Sequence, residues 1–471
     1  MRILEALIVL LDLILIVAPH WRNLRERPLW RRVLTGMAVA LVAAHLTWEG
    51  YRWQMIPLYL IAGAAVAVAV KDGRGRERPR GWAVAGTAAL ALMLVLGVAA
   101  LILLPVPRMP EPAGPYEIGT VTYHWVDESR VEKYGGANGT TPRELMVQLW
   151  YPAEPEAGAR PERWLTNGLE TSRAMAKKVD LPTWLVDQIT LAESSAYPDA
   201  PLAAAGERLP VIVYLHGWGG FRNVNQDQLE TLASLGYLVA SADHTYGSLA
   251  TVYPDGRVAP IDPGAMDGDG SEAGSEAAAE ALVGVYAADA AFVLDQLEGL
   301  NATDPAGRFT GRLDLERVGV FGHSTGGGAA VRLCASDPRC GAILGMDAWV
   351  EPVPDELIEV GLAQPLMIMN SETWEEGENA ERLRLLVERS GGVAYWMSTA
   401  GTWHFDFVMV PSISPLAPAL GMKGPLAGKR VVEINNRYLA AFFEKHMRGQ
   451  DEVLLDGPSV DYPEVSFNVL D

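Results

Sequence analysis

Cysteine and histidine are scarce in this chain of 471 residues, which holds two of the first and eight of the second. Cys334 and Cys340 stand at the end of one element and the start of the next, and neither is placed to act as a nucleophile. No glycine-rich nucleotide loop, no cluster with metal-ligand spacing and no basic patch for nucleic acid stands out. A formal charge of −20 argues further against nucleic acid as a partner. The acidic stretch Pro254–Glu276 carries Asp262, Asp267, Asp269, Glu272 and Glu276 among glycines. It lacks the D-x-[DN]-x-[DN]-G-x5-E spacing of a calcium loop and reads as a solvated loop.

The charge is unevenly spread. Residues 1–110 hold 13 Lys/Arg and 6 Asp/Glu, a net of +7, whereas the remainder holds 25 and 52, a net of −27. The front contains four apolar runs, Ile3–Ala18, Val33–Trp48, Met55–Val70 and Trp82–Leu104. The fourth is long enough to span ~30 Å of hydrocarbon at ~1.5 Å per residue. The other three are shorter and need interfacial flanks, which Trp21, Trp48, Tyr51, Trp53 and Trp82 supply. The first run contains Glu5 and Asp12 and lacks a small-x-small cleavage site, so it reads as an anchor, not a signal peptide. His20–Arg32 holds five arginines, and Lys71–Arg80 holds a lysine and four arginines. Positive-inside then puts both loops in the cytoplasm and everything after Leu104 outside. Asp12, near mid-span, is costly in lipid, and a packing contact with Arg52, His45 or water is expected of it. Pro105–Pro115, with five prolines, reads as a stiff extended linker.

The back is organised around Arg317–Leu333: an apolar run, a turn of small residues, then a helix. The turn reads Gly322-His323-Ser324-Thr325-Gly326. This G-x-S-x-G order is a nucleophile elbow, which exposes a serine hydroxyl on a sharp strand-to-helix turn. Behind the serine, the helix N-terminus aims free N–H groups at the place where an oxyanion would form.

A serine nucleophile needs a base and an acid, expected in the order Ser, Asp/Glu, His. After Ser324 only His404 and His446 remain. His446 falls in an amphipathic helical pattern and is expected at the surface near a helix end. His404 follows the strand-like run Val393–Met397 in a loop, where catalytic side chains gather, and is the expected base. For the acid, Asp347 emerges directly after the buried run Cys340–Met346. It is preferred over Asp337 in a turn, over Asp355 and Glu356 opening a polar helix, and over Asp406, two residues from His404. A strand end is the rigid place from which to hold an imidazole tautomer.

Upstream, Gly119–Val126 and Glu144–Tyr151 alternate as strands, and Glu154–Gly206 contains a helical piece near Leu169–Val179. Pro210–Leu215 and Tyr237–Ala242 read as buried strands and Ala277–Leu297 as a long helix, so the sheet should be mostly parallel and covered by helices. His216 and His244 precede the serine and read as structural.

Gly322–Gly327, Asp347-Ala348-Trp349, Pro365–Glu372, Gly401-Thr402-Trp403-His404 and His216–Arg222 together resemble the platelet-activating-factor acetylhydrolase (group VII phospholipase A2) family of α/β-hydrolases, over roughly residues 140 to 410. The resemblance implies Ser324, Asp347 and His404 as triad, and the backbone N–H groups of Trp218 and Thr325 as oxyanion hole. The family often has a large apolar residue where Thr325 stands, which bears on the acyl pocket and not on the N–H.

The expectation is an α/β-hydrolase domain at 116–471, outside the membrane, after a linker at 105–115 and a four-span bundle at 1–104. It would act on small-molecule or lipid esters without cofactor or metal. A polyester, general carboxylester or lipid hydrolase on the same triad, and a non-catalytic membrane sensor, are the alternatives. Outside the cytoplasm Cys334 and Cys340 would bridge.

Overall fold

The computed structural model describes residues 1–470 except 21–27, 72–79, 137–138, 204–207, 269 and 410–412. The chain divides into two compact units. One comprises Met1–Pro107, Trp184–Ala192 and Ile413–Leu416; the other comprises Arg108–Thr183, Glu193–Ser412 and Ala417–Asp471.

In the first unit the four apolar runs are helical, at Ile3–Val17, Pro28–Ala44, Ile56–Lys71 and Arg80–Leu103. Within this unit, among the described residues, Gly81–Leu103 alone is long and apolar enough to cross a membrane by itself. Most of the two basic loops that orient the chain, with Trp21 and Asp269, lies outside the described residues. Trp48, Tyr51 and Trp82 are exposed. Trp53 is not a free flank: its ring meets Trp184 edge-on at 4.9 Å, and its Nε1–H donates to the Leu185 carbonyl at 3.1 Å.

Arg52, one of the partners expected for Asp12, pairs with Glu5 instead. Arg52 lies 3.0 Å from the Glu5 carboxylate and Arg2 2.8 Å from it, while the buried Asp12 Oδ2 has no hydrogen-bond partner among the described residues. Arg52 sits in a connection outside the helices, so its guanidinium meets a carboxylate in a first turn and not one mid-helix. Ligand atoms of Glu5, His45 and Glu49 lie within 4.8 Å of one another, a grouping not singled out from sequence. The Arg2 and Arg52 guanidinium groups are ion-paired into it.

The second unit is built on a ten-stranded sheet. Its strands are β1 Glu117–Val131, β2 Pro142–Ala153, β3 Ala196–Pro198, β4 Leu209–Leu215, β5 Leu238–Asp243, β8 Leu313–His323, β9 Cys340–Met346, β10 Leu366–Ser371, β11 Ala394–Thr399 and β12 Val465–Leu470. β6 Ala250–Val252 and β7 Val258–Pro260 form a separate hairpin. The sheet order is β12-β11-β10-β9-β8-β4-β5-β2-β1-β3. The six strands from β11 to β5 are parallel, while β12, β2 and β1 pair antiparallel.

Both faces of the central strands are buried, so they lack polar alternation. In β4, Val211, Val213 and Leu215 face one core, with the helices Glu272–Ala302, Thr325–Cys334 and Glu378–Arg389. Ile212 and Tyr214 face the other, with the helices Gln226–Ser234 and Gly428–Arg448. The helix Glu272–Ala302 is also long and apolar, but it is a core helix, more than half buried.

Sequence β4→β5 runs one way across the sheet, and β8→β9→β10→β11 runs the other. The reversal between β4 and β8 opens a crevice at their carboxyl ends, where open parallel sheets place their ligands.

Two sequence expectations change here. Pro254–Glu276 is not wholly a loop: it supplies β7, the short helix Gly264–Asp267 and the start of the helix Glu272–Ala302, which Ser271 caps through the Gly274 N–H. His446 is half-buried, not a surface residue. Its ring packs on Phe442 and its Nε2 lies 3.0 Å from the Tyr395 hydroxyl, because β11 runs beneath that helix end.

Candidate active site

Ser324 sits between β8 and the helix Thr325–Cys334 with φ 55° and ψ −122°. This is a left-handed backbone that side-chain-bearing residues rarely adopt. The turn is closed by backbone bonds: Ser324 N–H donates to Met346 O at 3.0 Å, and Gly327 and Trp349 donate to Ser324 O. Gly326 is required by close approach, since a Cβ there would lie 2.1 Å from the Leu215 carbonyl oxygen.

The carboxyl end of β4 leads into His216-Gly217-Trp218. This loop abuts the serine, because a Cβ on Gly217 would lie 3.0 Å from Ser324 Cβ. Among the described residues the Trp218 and Thr325 N–H groups donate to no carbonyl or side chain, whereas Gly219 and Gly220 are engaged with Gly247 O and Gly217 O.

The loop is anchored from below. His216 Nε2 lies 2.9 Å from Ser248 Oγ, and His244 Nδ1 lies 3.0 Å from Asp289, which Arg143 grips through both carboxylate oxygens. Burial holds the His216 and His244 pKa values below the ordinary range, so both are neutral and structural.

At the end of β9, Asp347 is fully buried with φ 42°. His404 Nδ1–H donates to its Oδ2 at 3.0 Å. Asp406 does not face the imidazole: its Oδ2 accepts the N–H groups of Trp403 and Gly424. Among the described residues, Ser324 Oγ makes no hydrogen bond. Burial pushes the Asp347 carboxyl up, and donors from His404 and Ser371 pull it back without cancelling the rise.

Three neighbours were not singled out from sequence. Ser371, ending β10, donates its N–H and Oγ–H to Asp347 at 2.6 and 2.7 Å. His323, the second residue of the elbow motif, donates Nε2–H to the His404 carbonyl at 3.0 Å. Trp374 stacks on the His404 ring, centroids 4.3 Å apart. The signal for Ser371 is its position: it ends the strand next to the one that Asp347 follows. Cys334 and Cys340 form a disulfide with Cα atoms 5.2 Å apart.

A model of the family described as platelet-activating factor acetylhydrolase, isoform II, matches residues 104–259 and 299–457. A platelet-activating factor acetylhydrolase from Cavia porcellus is 22% identical over 363 residues, 72% of this chain and 78% of that protein. A probable 1-alkyl-2-acetylglycerophosphocholine esterase from Arthroderma benhamiae is 25% identical over 401 residues, 76% and 93% of the two chains. Among solved structures, a ferulic acid esterase from Streptomyces cinnamoneus aligns with a TM-score of 0.62 at 29% identity, covering 77% of this chain and 99% of that one. The mostly parallel, helix-covered sheet is that of an α/β-hydrolase.

Proposed function

The chain belongs to the platelet-activating factor acetylhydrolase family, isoform II type, and from that premise we propose that it is a membrane-anchored serine esterase. It is a carboxylic ester hydrolase, like the relatives and the structural neighbour that carry esterase names. The observation that carries the serine mechanism is the pairing of an elbow serine at φ 55° with a half-buried His404 bonded at 3.0 Å to the buried Asp347.

Ser324 attacks the ester carbonyl while His404 takes its proton at Nε2. Asp347 holds the imidazole tautomer and stabilises the imidazolium. The Trp218 and Thr325 N–H groups receive the tetrahedral oxyanion, a contribution of ~3 kcal/mol per donor in comparable sites. His404 then protonates the leaving alcohol, and water releases the acyl group from Ser324.

The family model begins at residue 104, which supports a division into a membrane region at 1–104, a linker at 105–115 and a hydrolase domain at 116–471. Four helices on the four apolar runs support a four-span bundle, with the hydrolase domain outside the cytoplasm. The substrate in this reading is a short-acyl or oxidised phospholipid; the name of the Arthroderma benhamiae relative, a probable 1-alkyl-2-acetylglycerophosphocholine esterase, supports a short acyl group.

The ferulic acid esterase favours a second reading, a general carboxylesterase or polyester hydrolase on the same residues. Full-length protein assayed on phospholipids and simple esters of graded acyl length separates the two. Labelling of wild type but not Ser324→Ala by a fluorophosphonate tests the nucleophile, and equal labelling of both removes it.

A further inference from the structure

Resting on the reading of Ser324 and His404 as nucleophile and base, we propose that Trp374 is a positioning residue for His404. It holds the imidazole in the plane that joins Asp347 to Ser324, and it stabilises the ring while protonated.

Two rings approach the His404 ring within 4.5 Å. Trp374 is nearly parallel to it at an interplanar angle of 18° and a centroid distance of 4.3 Å. His323 stands 4.5 Å away at 34°. Rotation of the imidazole out of its plane would drive it into one of these rings. With Nδ1 held by Asp347 at 3.0 Å, the ring's position is set from its face as well as from its edge.

The electrostatics differ between the two neighbours. An indole face attracts a cation within ~6 Å of its centroid, and tryptophan does so best among the aromatic residues. The imidazolium formed when His404 takes the serine proton would therefore lie on a favourable surface. His323 does not oppose it: burial and the neighbouring His404 hold its pKa well below the ordinary value, so it stays neutral.

Other charges close by are engaged elsewhere. Glu372 accepts the Gly401 N–H at 2.7 Å, and Glu375 accepts from Asn370 and Trp396. Asp406 accepts the Trp403 and Gly424 N–H groups with Lys423 3.8 Å away. Among the described residues Asp347 is the only carboxylate bonded to the His404 ring.

Trp374 is itself fixed. Its Nε1–H donates to the Ala348 carbonyl at 3.2 Å, an oxygen that Asn379 also serves at 2.9 Å. Replacing the indole thus leaves that carbonyl with a donor. The four residues Ser371–Trp374 serve both ends of the couple: Ser371 holds the acid, and Trp374 covers the base.

The test is the pH profile of kcat/KM for p-nitrophenyl acetate, with full-length wild type, Trp374→Leu and Trp374→Phe in detergent. Loss of a surface that favours the cation disfavours the protonated ring. The acid limb of Trp374→Leu should move down by about 0.5 to 1 pH unit, with the plateau falling about 5- to 10-fold. Trp374→Phe should show a smaller displacement in the same direction. An acid limb unmoved in Trp374→Leu overturns the proposal whatever the plateau does, because a merely structural role lowers the plateau alone. If Trp374→Leu fails to fold, the phenylalanine variant decides: a downward limb supports the proposal, and an unmoved one overturns it. Ser324→Ala run alongside keeps the premise separate, since undiminished hydrolysis by that variant defeats the serine reading and not the role of Trp374 alone.

Discussion

His404 Nδ1 lies 3.0 Å from Asp347 Oδ2 across 57 residues of sequence, and Asp347 turns its remaining hydrogen-bonding capacity to Ser371. If this couple is the working acid and base, Asp347→Asn should lower kcat about 10⁴-fold, since an amide favours the wrong tautomer. Ser324→Ala should abolish turnover while keeping the wild-type melting temperature. Adding His404→Ala to it should cost little more, because such residues act as a unit. Steady-state kinetics on one chromogenic ester, with melting curves, checks all three.

Ser371→Ala removes one of the donors to Asp347 and leaves the backbone N–H. Loss of a hydrogen bond to a charged group costs about 1.5 kcal/mol, so kcat/KM should fall roughly tenfold. An unchanged kcat/KM would mean that the Ser371 hydroxyl does not help hold the acid.

Glu230 is buried, with Oε1 accepting from Gln226 and the Ser195 N–H and Oε2 without a hydrogen-bond partner among the described residues. Burial raises its pKa from 4.5 to about 7. The folded state therefore binds a proton that the unfolded state releases. The associated stability is complete below pH about 4.5 and is lost as pH rises through about 7, a change of up to about 3 kcal/mol. Glu230→Gln cannot ionise. It should melt close to wild type at pH 5 and clearly above it at pH 8; the reverse ordering at pH 8 would refute the argument.

The Cys334–Cys340 bridge closes a loop of six residues in sequence separation, for which chain entropy gives about 2 kcal/mol. The double serine variant should melt a few degrees lower in non-reducing buffer and match wild type in reducing buffer. Equal melting of the two proteins under both conditions would show that the bridge does not form in solution.

Reporter fusions test the orientation drawn from the arginine-rich loops. Fusions after Arg27 and Arg76 should report cytoplasm, and those after Trp53 and Pro112 the outside. A cytoplasmic signal after Pro112 would reverse the placement of the hydrolase domain.

What was legible in the sequence is what depends on local spacing. The elbow announces itself because a sharp strand-to-helix turn needs small residues at fixed offsets, and Gly326 meets the Leu215 carbonyl there. The four N-terminal helices follow the apolar runs to within a few residues, and the buried central strands carry unbroken apolar side chains on two faces. Contacts decided by strand order were not legible. Ser371 reaches Asp347 because β10 neighbours β9, and Trp374 covers His404 because of the turn that follows. Trp53 meets Trp184, and Arg52 chooses Glu5 over Asp12, through pairings between distant segments that no periodicity records.

Ser324 and Asp347 share a feature that sets the protein against its own chemistry. Both hold a positive φ, 55° and 42°, which costs an L-residue with a side chain about 1 to 3 kcal/mol. Glycine would hold the same backbone without that cost. Ser324→Gly should therefore be more stable than Ser324→Ala, though equally inactive. In a lineage released from the need to cleave esters, the elbow serine is a position where loss of function and gain of stability point the same way. Such a lineage would drift toward a sturdier, inert copy.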